Sequence, residues 1–313
     1  MSAPTITEPG VAATTARAPR GVRSAETRPA WLFIAPFALF YVVFLIWPTA
    51  YMVIASFFNT SVVQEGFGSW AGFGNYAEML TRPEFWSAMW HTLQFTLYTV
   101  PPLVVLSFVF AVLANRVQRG QWFFRLAFFV PFILPSAAIA LIWNFILSPS
   151  TGLLAVVQGW FGVEEPAPIL GTPALAMVGI ALATLWWTIG FNFILYLAGL
   201  QDVPREVYEA AAIDGASPWQ QIRWITIPML SRTTTLVILL QIIASLKIFD
   251  QVYLMTAGGP GISTQVALGL VTTSAFTDFR VGAASAASVL LFIVIVAIAV
   301  ARQLIDRAQE RRA

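Results

Sequence analysis

Six stretches of this chain are apolar for longer than a water-soluble helix can sustain. They cover approximately residues 31–58, 92–114, 122–147, 173–200, 233–255 and 281–305. Each is long enough to cross a hydrocarbon core of roughly 30 Å. A backbone in lipid has no water to bond with, so each crossing must close its own hydrogen bonds as a helix. The expected fold class is therefore all-α: a polytopic membrane protein with six transmembrane helices. Pro36, Pro48, Pro101, Pro102, Pro131 and Pro135 lie inside these stretches, and kinks are expected near them.

Composition excludes most other chemistry. The 313 residues are 58% hydrophobic and only 10% charged, which no soluble domain matches. With no cysteine and a single histidine, His91, the chain cannot build a disulfide, a thiolate nucleophile or a zinc site. No catalytic residue, metal or cofactor is expected. The only lysine, Lys247, stands in Ala-Ser-Leu-Lys-Ile-Phe-Asp, not in a Gly-rich phosphate loop. If ATP drives this protein, another subunit must supply the ATPase. A net charge of +2 gives no reason to expect nucleic acid.

The arginines set the orientation. Arg17, Arg20, Arg23 and Arg28 precede the first stretch, and Arg116, Arg119 and Arg125 surround the loop after the second. Arg205, Arg223 and Arg232 flank the run between the fourth and fifth, and Arg302, Arg307, Arg311 and Arg312 end the chain. The alternate loops hold only Arg82 and Arg280. The positive-inside rule puts both termini in the cytoplasm, together with the run between stretches four and five. Residues 1–28 have no apolar period and are expected to be a disordered cytoplasmic tail, with no cleaved signal peptide. The transmembrane body is expected over residues 29–307, and 308–313 form a second cytoplasmic tail.

The polar run at residues 201–228 reads as a helix-turn-helix. The first helix should run from Arg205 to Ile213 and stop at Gly215, which tolerates a left-handed turn. Ser217 can cap the second, and Pro218 suits its first position. Within this run Glu209, Ala210, Ala211, Gly215, Ile225 and Pro228 share the spacing Glu-Ala-Ala, three residues, Gly, nine residues, Ile, one residue, Leu-Pro, with Ile227 in place of the Leu.

That pattern resembles the cytoplasmic coupling loop of ABC importer permeases. Further motifs look like the carbohydrate-uptake (maltose / glycerol-3-phosphate) type: Gly74-Asn-Tyr76, Val130-Pro131 through Pro135, Ile142-Trp143-Asn144, Gly152-Leu-Leu154 and Gly258-Gly259-Pro260. The resemblance covers about residues 31–305. It implies a binding-protein-dependent permease in a bacterial inner membrane, working with two ATPase subunits. It also implies a second, related permease chain as heterodimer partner and an extracytoplasmic substrate-binding protein. Glu209 would dock the first coupling helix on the ATPase, Ala210 and Ala211 would allow close approach, and Gly215 would set the angle to the second helix. Residues 262–279 would form a short helix rather than a seventh span.

Polar residues inside apolar stretches mark a candidate substrate path. Lys247, Asp250 and Gln251 are spaced to share one helical face, while Thr184, Thr188, Asn192 and Tyr196 recur every four residues. Trp143 and Asn144, with Gln94 and Tyr98, add to these. Hydroxyl-binding side chains beside aromatic rings suit a di- or oligosaccharide. Glycerol-3-phosphate or a glycerophosphodiester is the alternative within the same family. Simple helix-to-helix bonding, with Lys247 and Asp250 as a private salt bridge, is the plainer alternative. An ion-coupled secondary transporter using Lys247 and Asp250 is the alternative from another class, although such proteins have no use for the Glu209–Pro228 pattern.

Overall fold

Two long helices form the centre of the bundle. α4, Pro83–Arg116, starts on Pro83, whose missing N–H costs nothing at a first position, and carries Glu84 in its first turn and Arg116 in its last. α8, Pro173–Gln201, also opens on a proline. At 34 residues, α4 is about 50 Å long, enough to cross a bilayer core with polar ends to spare.

The structure is a computed structural model that describes residues 27–117 and 120–310. Most of the expected N-terminal tail and residues 311–313 lie outside the described residues. The chain divides between Tyr51 and Met52 into two units. The first holds α1, Thr27–Tyr41, a π turn at Val42–Ile46, and the start of α2, Trp47–Ala55. Within it Phe37 stacks on Tyr41 and Phe40 on Phe44, one helical turn apart.

The second unit continues with α3, Gly74–Thr81, before α4 and α5, Gln121–Ile133, after it. Then come α6, Ser136–Ile146, and α7, Leu153–Trp160, before α8. After α8 come α9, Arg205–Ile213, α10, Pro218–Gln221, a π turn at Ile222–Thr226 and α11, Ile227–Met229. The fifth apolar stretch forms α12, Ser231–Leu246, and α13, Asp250–Thr256. α14, Ala267–Thr272, runs into a π turn at Thr273–Thr277, and α15, Val281–Glu310, ends the described chain. There is no strand among the described residues, only an isolated bridge between Phe58 and Trp70.

Four helical runs are long and apolar enough to cross a membrane: Phe33–Ala55, Pro83–Arg116, Pro173–Gln201 and Val281–Arg302. Six are reached if each of two bent pairs counts as one span. In the 122–147 stretch, the kink expected near Pro131 and Pro135 is a full break. That stretch is broken into α5 and α6, which meet at 99°. Pro135 removes an N–H and clashes with the preceding turn, which pushes Leu134 into extended backbone at φ −69°, ψ 141°. The other bend, 65°, separates the Pro218–Met229 run from α12.

The fifth stretch differs from expectation in a second way. α12 stops at Leu246, Lys247 caps it, and α13 begins at Asp250. Lys247, Asp250 and Gln251 therefore share no continuous helical face; they surround a three-residue break.

Three apolar clusters hold the second unit. Met79, Phe85, Ala88, Leu270, Ala283, Ala286 and Ala287 join α3, α4, α14 and α15. Phe95, Met177, Ile180, Ala183, Ile248, Val252 and Val266 fill the middle. Ala111, Phe193, Tyr196, Leu197, Leu200, Leu230 and Val237 close the end nearest α9. Gly190 lets α8 touch α5 backbone to backbone, since a Cβ there would lie 1.9 Å from the Phe128 carbonyl oxygen. Gly282 does the same at the start of α15, where a Cβ would lie 2.0 Å from Phe58 O.

That last contact belongs to a polar clasp outside the apolar runs. Asn75 Nδ2 donates to Ser56 O and Phe58 O, both at 2.9 Å, and the Gly282 N–H donates to Thr60 O at 2.9 Å. Arg280 grips Glu78 with both guanidinium nitrogens, one at 2.6 Å from Oε1. These hydrogen bonds hold the Glu78 carboxyl below the usual carboxylate range and push Arg280 up.

Candidate functional site

A cavity of about 370 Å³ lies where α4, α8 and the broken fifth stretch meet. Its walls combine apolar surface with hydroxyl, amide and charged groups. α4 contributes Thr99, α8 contributes Thr184, Trp187 and Thr188, and α12 contributes Gln241 and Ser245. The break supplies Lys247 and Phe249, and α13 supplies Asp250 and Gln251.

The local hydrogen bonds determine what these groups can offer. The hydroxyls of Thr99, Thr184 and Thr188 each donate one turn back, to Phe95 O at 2.8 Å, Ile180 O at 3.0 Å and Thr184 O at 2.7 Å. Their protons are committed, so they meet a ligand as acceptors. Gln241 Nε2 donates to Asn192 Oδ1 at 2.9 Å, which fixes its amide. Asp250 accepts from Ser136 Oγ at 3.4 Å and remains exposed to the cavity. Gln251 is only 2% exposed, yet its Nε2 has no hydrogen-bond partner among the described residues. A buried amide donor without a partner is costly.

Lys247 and Asp250 do not form the private salt bridge. Among the described residues the ion pairs all lie in the Glu78, Arg82, Glu84 and Arg280 cluster. Both Lys247 and Asp250 are exposed on the cavity wall.

The structure thus brings Lys247, Asp250, Gln251 and Thr188 to one cavity. Asn192, 0% exposed, stands behind the wall and reaches the cavity through Gln241. Tyr196 is buried in the cluster nearest α9, edge-on to Phe108 at 5.7 Å. Trp143 lines a separate apolar groove of about 410 Å³ beside Trp186 and Pro131. Asn144 Nδ2 donates to Leu254 O at 3.3 Å, joining α6 to α13. Sequence reasoning overlooked Thr99, Gln241 and Ser245. Gln241, a long amide inside an apolar run, carried the signal that could have identified it.

The break in the third stretch also reaches this cavity. Trp187 Nε1 donates to the Leu134 carbonyl at 3.1 Å, satisfying an acceptor that the bend exposes.

At the other end, the polar run folds as its sequence predicts. α9 covers Arg205–Ile213, and Gly215 takes φ +80°. Ser217 and Gln220 form a complete capping box, with Pro218 in the first turn of α10. Glu206, Glu209, Ala210 and Ile213 lie on the exposed side of α9, and Ile213 is 87% exposed. Tyr208 and Ala211 turn inward and are half-buried. Ile225 is half-buried in the π turn, and Pro228 is exposed just before the 65° bend.

Residues 104–313 match the family model described as a binding-protein-dependent transport system inner membrane component. The chain is 33% identical over 261 residues to the sulfoquinovosyl glycerol transport system permease protein SmoG of Agrobacterium fabrum, covering 83% of this chain and 84% of that protein. It is 32% identical over 272 residues to the trehalose/maltose transport system permease protein MalF of Thermococcus litoralis, covering 86% and 90%. It is 27% identical to the sn-glycerol-3-phosphate transport system permease protein UgpA of Agrobacterium fabrum, covering 86% and 91%. The fold matches a chain of a bacterial alginate ABC transporter, solved in complex with an alginate pentasaccharide-bound periplasmic protein. The TM-score is 0.77 at 22% identity, covering 90% of this chain and 96% of that one.

Proposed function

Given that the chain belongs to the family of binding-protein-dependent transport system inner membrane components, we propose that it carries a di- or oligosaccharide as one half of an ATP-driven path. It is a permease subunit of an ABC importer, and its relatives include transporters of sugars and of glycerol-3-phosphate. That membership replaces the ion-coupled alternative. The other half is a related permease, two ATPase subunits bind at the α9 end, and an extracytoplasmic binding protein delivers cargo at the opposite end. The permease body covers residues 29–307, both termini lie in the cytoplasm, and the membrane is a bacterial inner membrane.

One observation carries the coupling role: α9 and α10 form a capped helix-turn-helix that leaves Glu209, Ala210 and Ile213 exposed. ATP closing the ATPase dimer would move α9, and the spans would rock between two states. The cavity supports sugar as cargo. Thr99, Thr184 and Thr188 offer acceptors, Lys247 a donor, and Trp187 and Phe249 aromatic surface for C–H faces. Glycerol-3-phosphate is the second reading, favoured by one observation: Lys247 is exposed in the cavity with no ion-pair partner among the described residues.

The test is purification from native membranes through a tag on this chain, with partners identified by mass spectrometry. Recovery of a P-loop ATPase, a second permease and a receptor is expected. Recovery of the chain alone, still moving solute under an ion gradient, would overturn the assignment.

A further inference from the structure

α9 is a short, exposed helix, and little holds it to the bundle. Among the described residues one side-chain hydrogen bond leaves it: Tyr208 Oη to Thr226 Oγ1, 3.0 Å. Neither Arg205, Glu206 nor Glu209 forms an ion pair there. The Thr226 hydroxyl itself donates to Gln221 O at 3.3 Å, so the Tyr208 hydroxyl is the donor to Thr226. The result is a two-link chain, Tyr208 to Thr226 to the Gln221 carbonyl, that spans 18 residues of sequence and crosses the turn at Gly215.

The position of this chain matters. Thr226 is buried and closes the π turn Ile222–Thr226. Its own carbonyl accepts the Leu230 N–H at 3.0 Å, at the bend from which α12 rises. α12 then carries Gln241 and Ser245 to the cavity. The Tyr208 ring sits beside a small cavity of about 200 Å³ with Val112, Leu200 and Ile222, so the ring has room to shift if the bond is lost. The ring is half-buried, whereas Glu209 and Ala210 beside it are exposed.

We propose that the Tyr208–Thr226 hydroxyl pair is the brace that makes a displacement of α9 reach α12, with Tyr208 as a positioning residue for coupling. It rests on the coupling role given above. Without the bond, no side-chain hydrogen bond among the described residues ties α9 to the fifth stretch, and the turn at Gly215 has a positive φ and open space around it. The helix can then tilt without moving α12.

The test uses the whole importer, purified through a tag on this chain and placed in liposomes. The chain has no cysteine, so Ala244→Cys gives it a single thiol on the cavity wall. Its rate of labelling by a cationic methanethiosulfonate is read without nucleotide and with ATP plus vanadate. The brace predicts a change in rate for the parent and about a fivefold smaller change for Tyr208→Phe and Thr226→Val, the weight of one hydrogen bond. Bound ATPase and its basal hydrolysis stay at parent level. Thr226→Ser keeps the hydroxyl and restores the response, and the double variant is no worse than either single one. A full response in Tyr208→Phe, or equal damage in Thr226→Ser and Thr226→Val, would overturn the brace while leaving the coupling role in place. A parent that binds no ATPase, or whose thiol ignores ATP, overturns both.

Discussion

The indole of Trp187 on α8 donates to the carbonyl of Leu134, at the corner between α5 and α6. One side chain thereby serves as wall of the cavity and as the hydrogen-bond partner of a broken span. Trp187→Phe keeps most of the ring and removes the donor, leaving a carbonyl unpaired in an apolar bundle. A loss of about 1–2 kcal/mol is expected, read as a lower thermal midpoint in detergent. An unchanged midpoint would mean that the Leu134 carbonyl finds another partner.

Two glycines should respond by different amounts. Gly190→Ala forces a methyl against the Phe128 carbonyl at 1.9 Å, so α5 and α8 must separate. A cost of about 3 kcal/mol, at the upper end for overpacking, should show as loss of detergent-stable protein. Gly215→Ala meets no atom within 4 Å and carries only the strain of φ +80°, about 1 kcal/mol. Gly215→Pro cannot adopt that φ and should abolish ATP-driven uptake in protein that still inserts. Uptake by Gly215→Pro at the parent rate would sink the role given to this turn.

Asn192 and Gln241 bond inside the bundle, and only Gln241 reaches the cavity. Either single change to Leu strands a buried amide, at about 1–2 kcal/mol. The double change should recover part of that stability, and a double-mutant cycle on thermal unfolding reads the difference. Uptake should not recover, because the cavity has lost its amide oxygen. Additive costs would show that the pair is not coupled.

The clasp between Glu78 and Arg280 gives a pH dependence with a definite sign. The folded Glu78 carboxyl titrates below its ordinary value of 4.5, so its stabilisation is complete above that pH and is lost as pH falls through the lower folded value. Both side chains are partly exposed, and solvent screening limits the pair to about 0.5 kcal/mol. Hydrogen exchange at the Gly282 amide, bonded to Thr60 O, is the local readout. At neutral pH, Glu78→Gln should speed that exchange about twofold. No acceleration would place the strength of the clasp in Asn75 instead.

Sequence alone was enough to describe the helix-turn-helix at 205–221 closely, because its determinants are local. A capping Ser217, a helix-starting Pro218 and a left-handed Gly215 act within one or two turns. The apolar runs were equally legible as membrane helices. Their breaks were not. Pro135 announces a kink, but its size depends on where the carbonyl of Leu134 finds a donor, and that donor is 53 residues away. No Gly or Pro stands near Lys247 to announce the break after Leu246, and beyond it α13 packs against α6 and α8. Periodicity therefore placed Tyr196 with Thr188 on one stripe, whereas the cavity ends between them.

The corner between α5 and α6 also fixes a parity. Three long helices, Phe33–Ala55, Pro83–Arg116 and Pro173–Gln201, precede Glu209. If α5 and α6 together make one passage, the passages before Glu209 number four, and Glu209 shares a compartment with the N-terminus. If the pair turns back, they number three, and the two lie on opposite sides. A membrane-impermeant label on a cysteine at Ile213, compared with an epitope at the N-terminus, thus reports how a proline 78 residues upstream directs the chain.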